Sequence, residues 1–155
     1  MPSLDIDVWR AELDDLELLV PLFDGYRRFY GLPTNLDLCR SFLADRIGRN
    51  ESVVFVAGAR GGPASGFTQM YPSFGSLSAG RIWILYDLFV AVGARGKGVG
   101  RLLMERARHH GLETAARAIV LSTARTNDVA QGLYESLGYK RDDEFLTYEL
   151  ALPAV

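Results

Sequence analysis

The stretch from Arg81 to Gly111 constrains the fold more than any other part of the chain. Its first part, residues 82–90, is β-branched, aromatic or aliphatic and carries only the charge of Asp87, which predicts a buried strand. Residues 94–101 contain three glycines in five positions, and apolar residues recur at helical spacing from Val99 onward. The sequence therefore predicts a strand, a glycine-rich turn and a helix, an arrangement that aims free backbone N–H groups at an anion.

The charges at the start of this predicted helix point to the same kind of ligand. A helix N-terminus favours acidic side chains, because the helix macrodipole is positive there. This one carries Arg95, Lys97 and Arg101, and no acid occurs before Glu105. Glycines let the backbone approach a ligand closely with φ > 0, and successive N–H groups in such a turn form an anion nest. We therefore predict that a phosphate or pyrophosphate binds at this turn.

The order of the glycines narrows the class of ligand. The Walker pattern is absent, because no Gly-Lys-Ser/Thr occurs, and the dinucleotide fingerprint lacks its third spacing. Arg95-Gly96-Lys97-Gly98-Val99-Gly100 instead resembles the Arg/Gln-x-x-Gly-x-Gly/Ala motif of the GNAT family of N-acetyltransferases. The resemblance implies that these six residues and Arg101 hold the pyrophosphate of acetyl-CoA. It also implies that the backbone of Phe89 and Val90 pairs with the pantetheine amides.

A second segment, Thr126 to Tyr139, is similar to the Asn-x-x-Ala-x-x-Leu-Tyr-x-x-x-Gly-Phe/Tyr segment of the same family. Asn127, Ala130 and Tyr134 lie at i, i+3 and i+7, so they share one helix face that spans roughly 10 Å. The resemblance implies that Asn127 and Tyr134 both contact acetyl-CoA. It also implies that Tyr134 protonates the departing thiolate of CoA. The alternative for Tyr134 is a packing role.

Asp87 is the candidate general base. An attacking amine must be neutral, and a lysine-like amine has a pKa of about 10.4, so the site must remove a proton. A carboxylate inside an apolar strand needs a partner, which could be the substrate ammonium or a structural salt bridge, for example to Arg27. Polyamine and thialysine members of the family have a Glu-Asp pair at this point, whereas Tyr86 stands here in place of the Glu. A water chain is the alternative base.

Aromatic and charged residues cluster near the end of the first predicted helix. A core edge with solvated arginines and the wall of a substrate pocket are both compatible with this pattern. The candidate acceptor-binding residues are Tyr26, Tyr30, Tyr71, Tyr86 and Asp87, which suggest a cationic or amphipathic amine. The acceptor would be a small molecule or an exposed protein amine. The segments 23–30, 69–74 and 85–90 look like the small Hpa-type histone/polyamine acetyltransferases of the family.

The resemblance implies an α/β (α+β) GNAT fold with a single twisted sheet. This sheet would be mixed and mostly antiparallel, with six to seven strands, a central parallel pair and about four flanking helices. We expect one domain over residues 1–155. The periodicity predicts strands at 4–9, 53–57, 66–71, 82–90, 118–123 and around Tyr148; helices from Leu13, Asn35, Val99 and Asn127; and a small-residue loop at 72–80. The strand at 118–123 should be covered on both faces.

Composition excludes several other classes of protein. The net charge of −2 gives no overall attraction to nucleic acid or to an anionic membrane, and no apolar run approaches membrane-spanning length. A lone cysteine, Cys39, excludes an intrachain disulfide and a cysteine zinc site, and we predict that it lies in the core; no metal is expected. We expect a cytoplasmic enzyme, and a homodimer by resemblance. The alternative function is a non-catalytic CoA-binding regulatory module.

Overall fold

The computed structural model describes residues 5–154, and the chain divides after Ser122 into two units. The first unit contains β1 (Asp7–Arg10), α1 (Leu16–Phe29), α2 (Leu36–Gly48), β2 (Val53–Gly58), β3 (Ala64–Gly75), β4 (Gly80–Val90), α3 (Val99–Glu113) and β5 (Ala118–Val120). The second unit contains α4 (Asp128–Ser136). No helix among these residues combines the length and the apolar composition needed to cross a bilayer.

The described strands form one sheet in the order β1-β2-β3-β4-β5. All neighbours are antiparallel except β4 and β5, which are parallel. The expected count of six to seven strands is therefore wrong for residues 5–154, and the parallel pair lies at the edge of these five strands. The predicted last strand around Tyr148 is absent, and the side chain of Tyr148 is 88% exposed. Period-2 alternation shows an apolar face but does not supply the partner strand that a β-ladder needs.

Two further predictions about the first unit are wrong. Residues 72–80 are not a loop, because β3 continues to Gly75, β4 begins at Gly80, and only a tight turn separates them. The exposed Phe74 ring lies under the Arg81 guanidinium, 4.3 Å from ring centroid to Cζ. The strand predicted at 118–123 ends at Val120, and its residues are exposed or half-buried rather than covered on both faces.

The core of the first unit lies between the sheet and the pair α1 and α2. Fully buried side chains from both layers meet there: Leu19, Val20, Leu43, Val54, Val56 and Phe67. Phe23 on α1 stacks on Phe42 of α2, with ring centroids 5.6 Å apart. Asn35 caps α2 as predicted, since its side chain accepts a hydrogen bond from the Leu38 N–H at 3.1 Å. Cys39 is fully buried in this core, which confirms its predicted place.

A buried carboxylate, Asp24, fastens α1 to the segment that leads into α2. It accepts hydrogen bonds from the Thr34 hydroxyl at 2.6 Å and the Asn35 N–H at 2.8 Å, and it pairs with Arg28. These hydrogen bonds, that of Thr34 foremost, hold the pKa of Asp24 below its usual range in spite of burial. Asp24 therefore stabilises the fold as an anion.

We expect Asp24→Ala to lower the free energy of unfolding by about 3 kcal/mol at pH 7, because buried donors lose their charged acceptor. The pKa of Asp24 is depressed in the folded state. Its contribution is therefore present above the unfolded pKa and is lost as the pH falls through the folded one. Urea denaturation at pH 7 and pH 3 measures the free energy of unfolding. Asp37→Ala is the control, because the side chain of Asp37 is fully exposed. A loss of stability that is equal at both pH values would contradict the role of the charge.

Candidate functional site

The glycine-rich turn follows β4 directly and has the backbone geometry of an anion nest. Gly96 has φ +75° and Gly98 has φ +83°, values in the left-handed region that other residues rarely adopt. A Cβ added at either glycine would meet no atom within 4 Å, so the conformation rather than crowding requires glycine. Gly98 is the N-cap of α3.

The electrostatics of the turn suit a pyrophosphate. Among the described residues, no side chain caps the first turn of α3, and that turn contains no acid. The Arg95 guanidinium donates through Nε to the Val90 carbonyl at 2.9 Å, and the Lys97 ammonium donates to the Gly93 carbonyl at 3.2 Å. Each bond uses one of several donors and fixes the cation beside the turn. The N–H groups at the positive helix end and the fixed cations beside it together favour an anion with two or more charges.

A register shift in the β3–β4 ladder decides where Asp87 points. Gln69 pairs with Asp87, but the next residue, Met70, pairs with Leu85, so Tyr86 is an extra residue in β4. In a regular strand Asp87 would share a face with Trp83, four residues earlier, which packs on His110 of α3. The bulge instead turns Asp87 toward α1. The Tyr86 carbonyl accepts a hydrogen bond from the α1 residue Tyr26, 3.3 Å from its hydroxyl.

Asp87 is a buried carboxylate that one side-chain amide holds in place. It is 2% exposed, and its Oδ2 accepts a hydrogen bond from Gln69 Nε2 at 2.7 Å. Burial raises the pKa of Asp87 to about 6, while the hydrogen bonds from Gln69 and Tyr26 oppose the rise. A pKa near 6 suits a general base, because the group is ionised at neutral pH and still accepts a proton readily.

Tyrosines from three elements cluster near this carboxylate. Tyr26 and Tyr30 come from α1 with ring centroids 5.2 Å apart, and Tyr71 of β3 lies 5.9 Å from Tyr86 of β4. Burial, followed by the nearby charge of Asp87, raises the pKa of Tyr26 and of Tyr71 above the ordinary value for a tyrosine. Both hydroxyls therefore remain neutral. The structure thus brings together all five residues predicted to bind the acceptor.

The structural salt bridge considered for Asp87 does not form. Among residues 5–154 no cation pairs with Asp87, and Arg27 interacts with the Cys39 thiol instead. The carboxylate is therefore an anion with hydrogen-bond donors but without a counter-charge. A buried anion in this state attracts a cation, such as a protonated amine.

The second unit carries the other two predicted site residues on and beside α4. Asn127 is the N-cap, and its Oδ1 accepts a hydrogen bond from the Ala130 N–H at 3.2 Å. Its side-chain oxygen is therefore engaged in capping. Tyr134 is half-buried, with its ring centroid 6.0 Å from that of Tyr139 in a tilted arrangement.

A family model for the acetyltransferase (GNAT) family matches residues 18–139. The chain belongs to this family. Its relatives include the uncharacterized N-acetyltransferase YhfO of Bacillus subtilis, which is 39% identical over 96% of this chain and 99% of its own length. A probable acetyltransferase of Haemophilus influenzae is 31% identical over 94% of this chain and 97% of its own length. This GNAT protein is therefore an acetyl-CoA-dependent acetyltransferase.

Solved structures share the fold of this acetyltransferase. The crystal structure of a probable acetyltransferase matches with a TM-score of 0.89 and 42% identity, over 96% of this chain and 99% of that one. The aminoglycoside N-acetyltransferase AAC(6')-Iy in complex with CoA matches with a TM-score of 0.77 and 19% identity, over 95% of each chain. At 19% identity the second match shows the fold alone.

Sequence reasoning missed two buried polar residues that connect to Asp87, Gln69 and Ser52. Gln69 is fully buried, and its Oε1 accepts a hydrogen bond from the Ser52 hydroxyl at 2.8 Å. A glutamine within a predicted strand was the available signal, because a buried amide requires hydrogen-bond partners. The partners themselves follow only from the register of β3 and β4.

We expect Gly98→Asp to weaken acetyl-CoA binding at least tenfold, because a carboxylate would stand at the proposed anion nest on a backbone that requires φ > 0. Isothermal calorimetry measures the affinity, and circular dichroism checks the fold. The matched control is Gly61→Asp, since Gly61 also has a positive φ, +81°, and open space around it. Equal affinity losses in both variants would show that backbone strain, and not the site, is responsible.

Proposed function

We propose that this protein transfers the acetyl group of acetyl-CoA to a primary amine by direct attack in a ternary complex. The acceptor is a small-molecule amine, an amino acid or an exposed lysine-like amine. The observation that carries this proposal is the buried carboxylate of Asp87, which has no counter-charge and lies near several tyrosines. Asp87 lies three residues before the end of β4, the strand that leads into the glycine-rich turn.

The residues proposed to hold acetyl-CoA lie in both units. The glycine-rich turn would bind the pyrophosphate through backbone N–H groups and cations: Arg95, Gly96, Lys97, Gly98, Val99, Gly100 and Arg101. Phe89 and Val90 would offer backbone groups to the pantetheine arm, because β4 pairs with β5 only from Ile82 to Ile84. By sequence resemblance, Asn127 and Tyr134 of the second unit are further proposed cofactor contacts.

The acceptor amine would arrive as an ammonium ion. Asp87 attracts it by charge, and the faces of Tyr26, Tyr71 and Tyr86 favour a cation near an aromatic ring. Burial lowers the pKa of an ammonium ion and has raised that of Asp87, so both shifts favour transfer of the proton to the carboxylate. Bound acetyl-CoA supplies the thioester that the neutral amine attacks. Tyr134 would donate its hydroxyl proton to the departing sulfur, and the second proton, which the attacking nitrogen loses, would restore the phenol. Proximity would supply much of the rate.

Several finer features belong to the same proposal. We propose that both units form one acetyltransferase domain, since the family match runs from residue 18 to 139 across the division. The segments 23–30, 69–74 and 85–90 support a place near the small Hpa-type enzymes. A cytoplasmic location and a homodimer complete the proposal. Exposed apolar side chains at Leu146, Tyr148 and Leu150 support the homodimer, and light scattering that finds only a 17.1 kDa particle would overturn it.

A panel of primary amines should be screened first to find an acceptor, with the free thiol of released CoA as readout. The panel should include sisomicin, which is present in a solved aminoglycoside acetyltransferase of similar fold.

With that acceptor, we expect kcat/KM to fall tenfold for each pH unit below about 6, because the free enzyme must hold Asp87 ionised to accept the proton. Asp87→Asn should remove the acidic limb and reduce turnover about 10²–10⁴-fold. Asp37→Asn, an exposed control, should retain the limb. A wild-type profile that is flat through pH 6 would exclude Asp87 as the base.

We expect Tyr134→Phe to reduce kcat at least tenfold while it changes the dissociation constant of acetyl-CoA less than twofold, because only the donated proton is lost. Steady-state kinetics and calorimetry on the same preparation give the two values. Tyr139→Phe is the matched control, since its ring packs beside that of Tyr134. Parallel losses of turnover and affinity would reduce Tyr134 to a binding or packing residue.

A further inference from the structure

Three buried polar side chains form a continuous chain of hydrogen bonds that ends at Asp87. The Ser52 hydroxyl donates to Gln69 Oε1 at 2.8 Å, and Gln69 Nε2 donates to Asp87 Oδ2 at 2.7 Å. Ser52 is 5% exposed, Gln69 0% and Asp87 2%. The chain therefore lies inside the protein, where each hydrogen bond is stronger than at the surface and each unpaired group is costly.

The chemistry of the three groups allows one arrangement of the chain. An ionised carboxylate only accepts hydrogen bonds, so the amide must turn its NH₂ toward Asp87. The amide oxygen then faces Ser52 and needs a donor, which the hydroxyl provides. Ser52 thus fixes the orientation of the Gln69 amide, and the amide fixes one oxygen of the carboxylate.

The register of the sheet makes this contact possible. Gln69 lies directly opposite Asp87 at the last regular pair before the register shift. Cross-strand partners point to the same face of a sheet, so both side chains point toward α1. One residue further along β3, Met70 pairs with Leu85, and this pair points to the other face.

We propose that Gln69, oriented by Ser52, is a positioning residue that holds Oδ2 of Asp87 and leaves Oδ1 for the acceptor amine. The catalytic part of this inference rests on the proposed function of Asp87 as general base. The contact also acts on the proton affinity of the carboxylate. A hydrogen bond to the charged form stabilises that form against burial, so the pKa of Asp87 stays near 6 and does not rise further.

The other groups that face Asp87 do not replace this contact. They are the phenols of Tyr26 and Tyr30 on α1, Tyr71 on β3 and Tyr86 on β4, all near the carboxylate or in ring contact with one another. The charge of Arg46 on α2 opposes the rise in the pKa of Tyr71. No cation pairs with Asp87 among residues 5–154. Besides Gln69, only the Tyr26 hydroxyl opposes the rise in the pKa of Asp87.

The test is Gln69→Met, which keeps the length of the side chain and removes its N–H donor. Carbon-13 NMR of labelled aspartate carboxyls measures the pKa of Asp87 without any substrate, and Asp87→Asn assigns the signal. We expect the pKa to rise by about one unit, the size of one charged hydrogen bond. The acidic limb of the kcat/KM profile should move by the same amount. A pKa within about 0.3 units of wild type would overturn the proposal, because a charged hydrogen bond corresponds to about one unit.

Three further variants separate positioning from loss of stability. Ser52→Ala should raise the pKa of Asp87 by a smaller amount, and Ser52→Thr, which keeps the hydroxyl, should restore it. Thr68→Val is the matched control, because the Thr68 hydroxyl donates to the Asp87 backbone carbonyl at 2.7 Å and not to its carboxylate. It should lower stability and leave the pKa unchanged. Equal shifts in Thr68→Val and Gln69→Met would overturn the specific role of Gln69.

The two readouts also separate this inference from the proposed function. A shift of the NMR pKa together with the kinetic limb supports both. A shift of the NMR pKa alone overturns Asp87 as the base, and with it the catalytic role of Gln69, although the contact is real. If Gln69→Met does not fold, the comparison of Ser52→Ala with Ser52→Thr gives the same decision.

Discussion

The pairing of β3 with β4 is the interaction on which the rest of the first unit depends. It runs from Gly66 opposite Val90 to Gly75 opposite Gly80 and joins the antiparallel part of the sheet to the parallel edge. Its register shift at Gln69 distributes the side chains of β4 between two faces. Trp83 packs against α3, whereas Asp87 lies toward α1. The same strand ends at Val90, whose carbonyl receives Arg95, so one ladder positions both the carboxylate and the glycine-rich turn.

The two buried carboxylates of the first unit show how hydrogen bonding decides the behaviour of a charge. Asp24 accepts bonds from a hydroxyl and a backbone N–H and pairs with Arg28, and its pKa is lowered. Asp87 is buried to the same degree, but it has one amide donor and a neighbouring phenol, and its pKa is raised. The first therefore suits a structural anion that fixes two helices. The second is under-compensated, which suits a group that must take up a proton.

The proposed acceptor site is built on the packing of aromatic side chains. The ring of Phe23 stacks on Phe42 and also contacts Tyr26, so the apolar core of α1 and α2 continues into the tyrosines around Asp87. The hydroxyl of Tyr26 is directed toward the carboxylate, and the ring of Tyr71 lies beside that of Tyr86. Rigid walls of this kind can hold an amine by charge and shape with few rotatable groups, which limits the entropy lost on binding.

The sequence by itself determined the nest and the family. The strand, turn and helix around Gly98 fold as their pattern predicts, because turn glycines and helical periodicity are local properties. It also indicated Asp87 and the tyrosines as candidate site residues. Only the tertiary structure decided the face on which Asp87 lies and its bond to Gln69, because a period of two places Trp83 and Asp87 on one side and cannot reveal a bulge. The strand expected around Tyr148 failed for a related reason: a β-strand exists only through its partner, and alternation within one segment does not encode that partner.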